Sequence, residues 1–320
     1  MATLNMGLGG AAQTAGLAIQ LKTTYNRTLL ENARDKLVHQ QFGREYTLPK
    51  RGGLTMEWRK ADTLPVATTP LVEGTPPTED TFGYTSTTVT IAQYGAFVKG
   101  TDIVNVVGID PLLDNVTEEQ GVQAGLTIET IDRDALSAGT NVRYADAVAN
   151  RAAVGIANKL DANEIVIARR TMAVNKAQPV KGRFYAAIVH PFTAADLIQD
   201  TSIVAAMNSQ AGASQSGTSL FDGELMRYMG VVFVESTMAK VFTGAGALGI
   251  NVYSTLFFGK NAYGVLSLES MGMETIFHNI GSAGAADPLN QYWTHGWKTT
   301  HAIKILQQNY MLRVEHAASA

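Results

Sequence analysis

Apolar and polar positions alternate most regularly near the C-terminus. Trp297, Thr299, His301, Ile303 and Ile305 share one face, and Lys298, Thr300, Ala302 and Lys304 share the other. Gln307, Gln308 and Asn309 form a polar break, after which Tyr310, Leu312 and Val314 alternate against Arg313 and Glu315. A period of two on both sides of a short polar turn predicts two β-strands closing one sheet. Upstream, residues 54–59 alternate as a strand, and residues 85–99 (TSTTVTIAQYGAFVK) are rich in β-branched and aromatic side chains. Four of the nine prolines lie in the connection between these two runs. So long a structureless connection is uncommon inside a compact domain and usually functional. It predicts a long two-stranded arm with a proline-stiffened tip. An isolated hairpin is marginal in water, so such an arm needs a partner surface. Lys50, Arg51, Arg59 and Lys60 sit at its base, and Glu73, Glu79 and Asp80 near its tip. The competing reading is a solvated surface loop with scattered charge.

Helical periods appear elsewhere. Tyr25, Leu29, Ala33 and Leu37 recur at four-residue steps, which predicts an amphipathic helix ending near Gln41, after a Gly- and Ala-rich start expected to be mobile. Asp110 and Pro111 suit the N-cap and first position of the longest helix. Along it Leu113, Val116, Ala124, Ile128, Ile131 and Ala135 share a face, and Gly139 offers a stop. Gly121 and Gly125 are expected to admit a close-packed neighbour. A further helix is predicted over 162–174. Residues 184–190 form a buried strand stopped by Pro191, followed by a short helix from Thr193 to about Asp200. The Gly/Ser-rich stretch 208–219 is expected to be mobile. Strands follow at 231–235 and 251–258. A mixed α+β unit thus fills about 181–286, and the C-terminal strands return to the first unit.

Bulk properties narrow the function. At 320 residues, 46% hydrophobic and 17% charged, the chain has material for two compact units. A net charge of −3 argues against a partner bound mainly through its phosphates. With no cysteine, disulfides, thiolate catalysis and thiolate metal sites are excluded together. The first residues lack the basic-then-apolar pattern of a secretory leader, and no apolar run approaches the ~18 residues of a membrane span. The expectation is a soluble, intracellularly made protein, in which the two glycosylation patterns (at Asn26 and Asn115) are chance matches.

Candidate chemistry is thin. Gly244, Gly246 and Gly249 spell GxGxxG, with Glu269 twenty residues on. The sequel INVYSTLFF is strand-like rather than helical, so a glycine-rich hairpin loop is expected instead of a dinucleotide site. The six histidines show no metal-ligand spacing. His190 and His301 read as structural imidazoles in the core. Glu118, Glu119, Asp132 and Asp134 read as solvated or interface carboxylates, and Arg169 and Arg170 as a solvated helix face. Ser214 and Ser216 lack a positioned base, and no GxSxG elbow occurs. No cofactor, metal or catalytic residue is assigned.

Several segments resemble the major capsid proteins of tailed bacteriophages with the Hong Kong 97-type fold, and within them the capsid family of N-four-group podoviruses. LPKRGGLTMEWRKADTLPVATTPLVEGTPP (48–77) resembles the extended-loop signature, and DPLLDNVTEEQGVQAG (110–125) the spine helix. FYAAIVHPFTAADL (184–197), FFGKNAYGVLSL (257–268) and residues 287–317 resemble the remainder. The resemblance implies an α+β capsid fold: N-terminal arm (1–45), extended β-hairpin loop (46–100), peripheral domain with a long spine helix (101–180 and 287–320) and axial domain (181–286). It implies a non-enzymatic shell protein forming hexamers and pentamers around double-stranded DNA contacted non-specifically. The implied partners are its own copies, a separate scaffolding protein, a portal and decoration proteins. The implied location is the virion, with assembly in the host cytoplasm. Lys50, Arg51, Arg59, Lys60, Glu73, Glu79 and Asp80 become the candidate intersubunit contacts. The alternatives are an encapsulin-like cellular shell and, from another class, a hydrolase on the 181–286 unit built around His190.

Overall fold

The computed structural model describes residues 37–107, 112–211, 221, 223–269, 271–282, 284 and 287–319. The strands are β1 (Arg44–Leu48), β2 (Thr55–Ala61), β3 (Tyr84–Thr90), β4 (Ala92–Thr101), β5 (Val142–Tyr144), β6 (Tyr185–Val189), β7 (Glu224–Tyr228), β8 (Val231–Glu235), β9 (Val241–Phe242), β10 (Val252–Phe258), β11 (Tyr263–Leu268), β12 (Glu274–His278), β13 (Tyr292–Ile305) and β14 (Met311–His316). The helices are α1 (Asp102–Val107), α2 (Leu112–Ser137), α3 (Ala162–Val174), α4 (Pro191–Gln199) and α5 (Thr201–Ala211). The amphipathic helix expected before Gln41, the Asp110–Pro111 cap and residues 212–219 fall largely or wholly outside the described residues.

Two sheets carry the core. One has the order β5-β14-β10-β6-β8-β7, with β9 also paired to β10. Its centre is apolar on both faces: every residue of β6 and of β10 is buried, as a strand covered on two sides requires. On one face pack Ile165, Ala168 and Met172 of α3 together with Leu197 and Ile203. On the other pack Leu136, the last large side chain of α2, and Phe42. In the second sheet β13 is the hub. β4 runs antiparallel along its residues 292–301 and β12 along 294–298, on opposite edges, while β11 takes 302–305 and carries β1 in parallel.

Two expectations need correction here. β13 and β14 do not close one sheet: β13 belongs to the second sheet and β14 pairs with β10 and β5 in the first. Nor do the sheets divide at residue 286, because β11 and β12 pair with β13 whereas β14 joins β6 and β8. Alternation fixes which residues share a face, but not which distant strand supplies the hydrogen bonds. The run 85–99 is likewise two strands. Ile91 is buried and donates its N–H to the Leu54 carbonyl, and there the chain changes partner from β2 to β13.

Local signals elsewhere place elements well. Asp161 caps α3 by accepting the Glu164 N–H, and α4 begins at Pro191 itself, with His190 as its cap. The glycines 244, 246 and 249 lie in the hairpin loop between β9 and β10, so no helix follows them to hold a pyrophosphate.

Candidate assembly surfaces

The extended-loop segment leaves the body in two stages. β2 and β3 pair over seven positions, and alternate residues Met56 and Val89 pack on a small core of Leu48, Ile91, Leu266 and Ala302. The Trp58 ring packs tilted against Tyr46, with centroids 5.3 Å apart. This ribbon is docked on the body, so the projecting part is shorter than the whole hairpin. Beyond it only Asp62 and Gly83 share a backbone hydrogen bond before the chain opens into the proline-rich tip.

Every residue from 59 to 82 is exposed. Val66, Leu71, Val72 and Phe82 are 84, 77, 69 and 54% exposed. A hydrated loop is usually polar; this one presents large apolar side chains in the company of four prolines. Proline removes backbone donors and narrows the unfolded ensemble, so the tip is stiff without a ladder. Exposed apolar surface of this kind marks interaction sites in folded proteins.

The charged candidates scatter over this segment without forming one constellation. Lys50 and Arg51 lie in the turn after β1, where the Lys50 N–H donates to Glu269 and Arg51 adopts φ 65°. Arg59 pairs with Glu57 two residues away, a solvent-screened contact whose hydrogen bond lowers the Glu57 carboxyl. Lys60 reaches Gln307 at 3.3 Å, holding the end of the ribbon to the body. Glu73, Glu79 and Asp80 are exposed on the tip and form none of the ion pairs among the described residues.

The second surface is α2. Its inward face grips β13 through a ladder of polar contacts: Gln120 on the His295 ring and carbonyl, Gln123 on the Trp297 indole N–H, and Asp132 on the His301 ring. The spacing is geometric. Twelve helical residues rise about 18 Å and six strand residues about 20 Å, so Gln120 and Asp132 stay level with His295 and His301. One turn before Asp132, Glu129 accepts the N–H groups of Val38 and His39 and lies 2.5 Å from His39 Nδ1. The outward face carries Glu119, Val122, Leu126, Thr127, Thr130 and Ile131 along a shallow groove that Gln123 borders. Asp132 is thus a core carboxylate rather than the solvated or interface one expected from the sequence: it is fully buried, as is Glu129. Glu118, Glu119 and Asp134 are exposed as expected, the last held low by Arg133 and Lys240 against a partial burial that works the other way.

His190 offers no catalytic geometry. Its Nδ1 accepts the Phe192 N–H, its ring lies 5.0 Å from Tyr253, and burial lowers its pKa. Among the described residues no three metal-ligating side chains come together, and no helix is long and apolar enough to cross a membrane.

No family model matches the chain, and no curated protein matches it in sequence. Solved structures do. The capsid of Ralstonia phage GP4 superposes with a TM-score of 0.68 at 15% identity, covering 87% of this chain and 88% of that one. The capsid of cyanophage P-SCSP1u gives 0.65 at 14% identity over 88% of each chain. That of cyanophage Pam1 gives 0.66 at 18% identity over 87% of this chain and 89% of the other. The chain has the α+β Hong Kong 97-type capsid fold.

Proposed function

We propose that this chain is the major capsid protein of a tailed bacteriophage, assembling into the hexamers and pentamers of an icosahedral head around double-stranded DNA. The observation that carries the reading is the arm at 59–82, apolar, proline-stiffened and wholly exposed on the single chain. Laid across a neighbouring copy, it buries the side chains that the protomer alone leaves in water. Its acidic tip residues Glu73, Glu79 and Asp80 and the basic Lys50, Arg51, Arg59 and Lys60 would set the register of that contact. The fold shared with phage capsids over most of the chain supports the same reading. In it 46–100 is the extended loop, α2 is the spine of the peripheral domain, and the β6–β10 region forms the axial domain, with β11 and β12 assigned to the peripheral side and β14 to the axial side. The role is structural, with no catalysis and no cofactor. Scaffolding, portal and decoration partners, and a place among N-four-group podoviruses, extend the reading on the sequence resemblance alone.

The test is electron microscopy and light scattering of the purified chain, alone and with the phage's own scaffolding protein. Closed shells or capsomer-sized rings are the expected outcome. A monomer that persists at high concentration with scaffold present contradicts it.

A further inference from the structure

Acidic residues outnumber basic ones over the whole chain, 28 to 25, but not evenly. Residues 165–195 contain no Asp or Glu and five basic side chains: Arg169, Arg170, Lys176, Lys181 and Arg183. All five are exposed. A segment that contributes most of one helix and one fully buried strand thus keeps only positive charge on its surface.

The fold draws part of this charge together at one edge of the larger sheet. β6 and β8 run parallel with Tyr185 opposite Val231, which sets the approach to β6 beside the β7–β8 turn. A methyl group built on Gly230 in that turn would lie 3.1 Å from Arg169 Nε and 3.7 Å from the Arg183 carbonyl oxygen. The Arg183 guanidinium lies 5.4 Å from the centre of the Phe184 ring, and that of Arg227 lies 5.7 Å from the same ring. The approach to β6 and strand β7 thus bring arginines to one half-buried aromatic, and α3 brings Arg169 to the turn at Gly230 beside Arg183. The carboxylate at this place is Glu224, engaged with Arg227 through both oxygens. On α3 itself the one acid, Glu164, is buried and held through both oxygens by Arg143. Arg169, Arg170 and Arg183 take part in none of the ion pairs found among the described residues.

We propose that Arg169, Arg170 and Arg183 form a binding patch for the phosphates of a nucleic-acid backbone. Exposed guanidinia left without carboxylates repel one another, a cost that a polyanion removes. Planar, weakly hydrated guanidinia suit phosphate oxygens better than ammonium groups do. So few contacts give weak, sequence-independent binding, which suits a surface that meets DNA without fixing it. That the ligand is packaged double-stranded DNA rests on the capsid reading; the phosphate binding itself does not.

The experiment is fluorescence anisotropy of a labelled 30-base-pair duplex titrated with the full chain between 20 and 200 mM salt, about the range over which phosphate contacts are lost. Each phosphate contact contributes about 0.9 to the slope of log affinity against log salt. The triple variant Arg169→Gln, Arg170→Gln, Arg183→Gln is expected to lose about 2 to 3 from that slope. The corresponding triple Lys variant keeps most of it and controls for folding. Two duplexes of unrelated sequence bind alike. No binding by the wild type, an unchanged slope in the Gln variant, or displacement of the duplex by polyglutamate at equal charge overturns the proposal. None of these outcomes bears on shell formation, so failure here is distinct from failure of the capsid reading.

Discussion

His301 Nε2 and Asp132 Oδ1 stand 2.5 Å apart in the core, 169 residues apart in sequence. The second oxygen of Asp132 accepts from the Gln40 side chain at 2.9 Å. One carboxylate on α2 thus holds both the hub strand β13 and the segment leading into β1. Removing it takes the partner from both side chains, and a buried polar group without a partner is costly. Asp132→Ala should lower stability by about 2–4 kcal/mol, read from the urea midpoint of the purified chain. A midpoint unchanged within error would show that the contact contributes little.

Gly100 sits where β4 crosses the Trp293 ring. A methyl group there would fall 2.2 Å from two ring carbons, and Trp293 is buried at 2% exposure and has no room to retreat. Overpacking of this kind costs about 1–3 kcal/mol. Gly100→Ala is therefore expected to reduce the melting temperature, whereas Gly74→Ala in the exposed tip meets nothing within 4 Å. The tip residue has φ +79°, so any loss there is backbone strain alone. Thermal melts of the two variants check the difference.

His316 is fully buried in β14, with Nε2 against the Thr255 hydroxyl and Nδ1 against the Ala317 carbonyl. Both contacts suit a neutral ring, and burial lowers its pKa from 6.5 to about 4. The unfolded chain then binds the proton that the folded chain refuses. Its contribution is complete above about pH 6.5 and is lost as pH falls toward about 4, at most roughly 3 kcal/mol. Stability of His316→Gln should fall less steeply over that window than that of the wild type. Equal slopes would remove His316 from the acid response.

The elements that were legible in the sequence are those fixed by neighbours along the chain. Asp161 and the apolar period after it delimit α3, and Pro191 ends β6 and starts α4. The exposed segment was half legible: four prolines between two strand-like runs suit an arm or a solvated loop equally, and nothing local separates the ribbon docked on the body from the tip beyond it. What was hidden is everything set by distant partners. Asp132 looks like a solvated or interface carboxylate until His301 arrives from 169 residues away, and nothing local marks Glu129 as the partner of His39, 90 residues distant. The switch of partner at Ile91 carries no local mark, since both strands it joins are rich in β-branched or aromatic residues. The separation of β13 from β14 was missed for the same reason: alternation is identical whichever sheet a strand enters.

The arm offers the most direct measurement. The full chain and a variant lacking residues 63–82 should be purified in parallel, mixed with scaffolding protein and compared by sedimentation and negative-stain electron microscopy. The deletion removes residues that are all exposed and pack on no core cluster of the protomer, so a soluble, folded variant is expected. The full chain should form closed shells, and the variant should stop at protomers or loose capsomers. Normal closed shells from the deletion would contradict assembly by arm exchange.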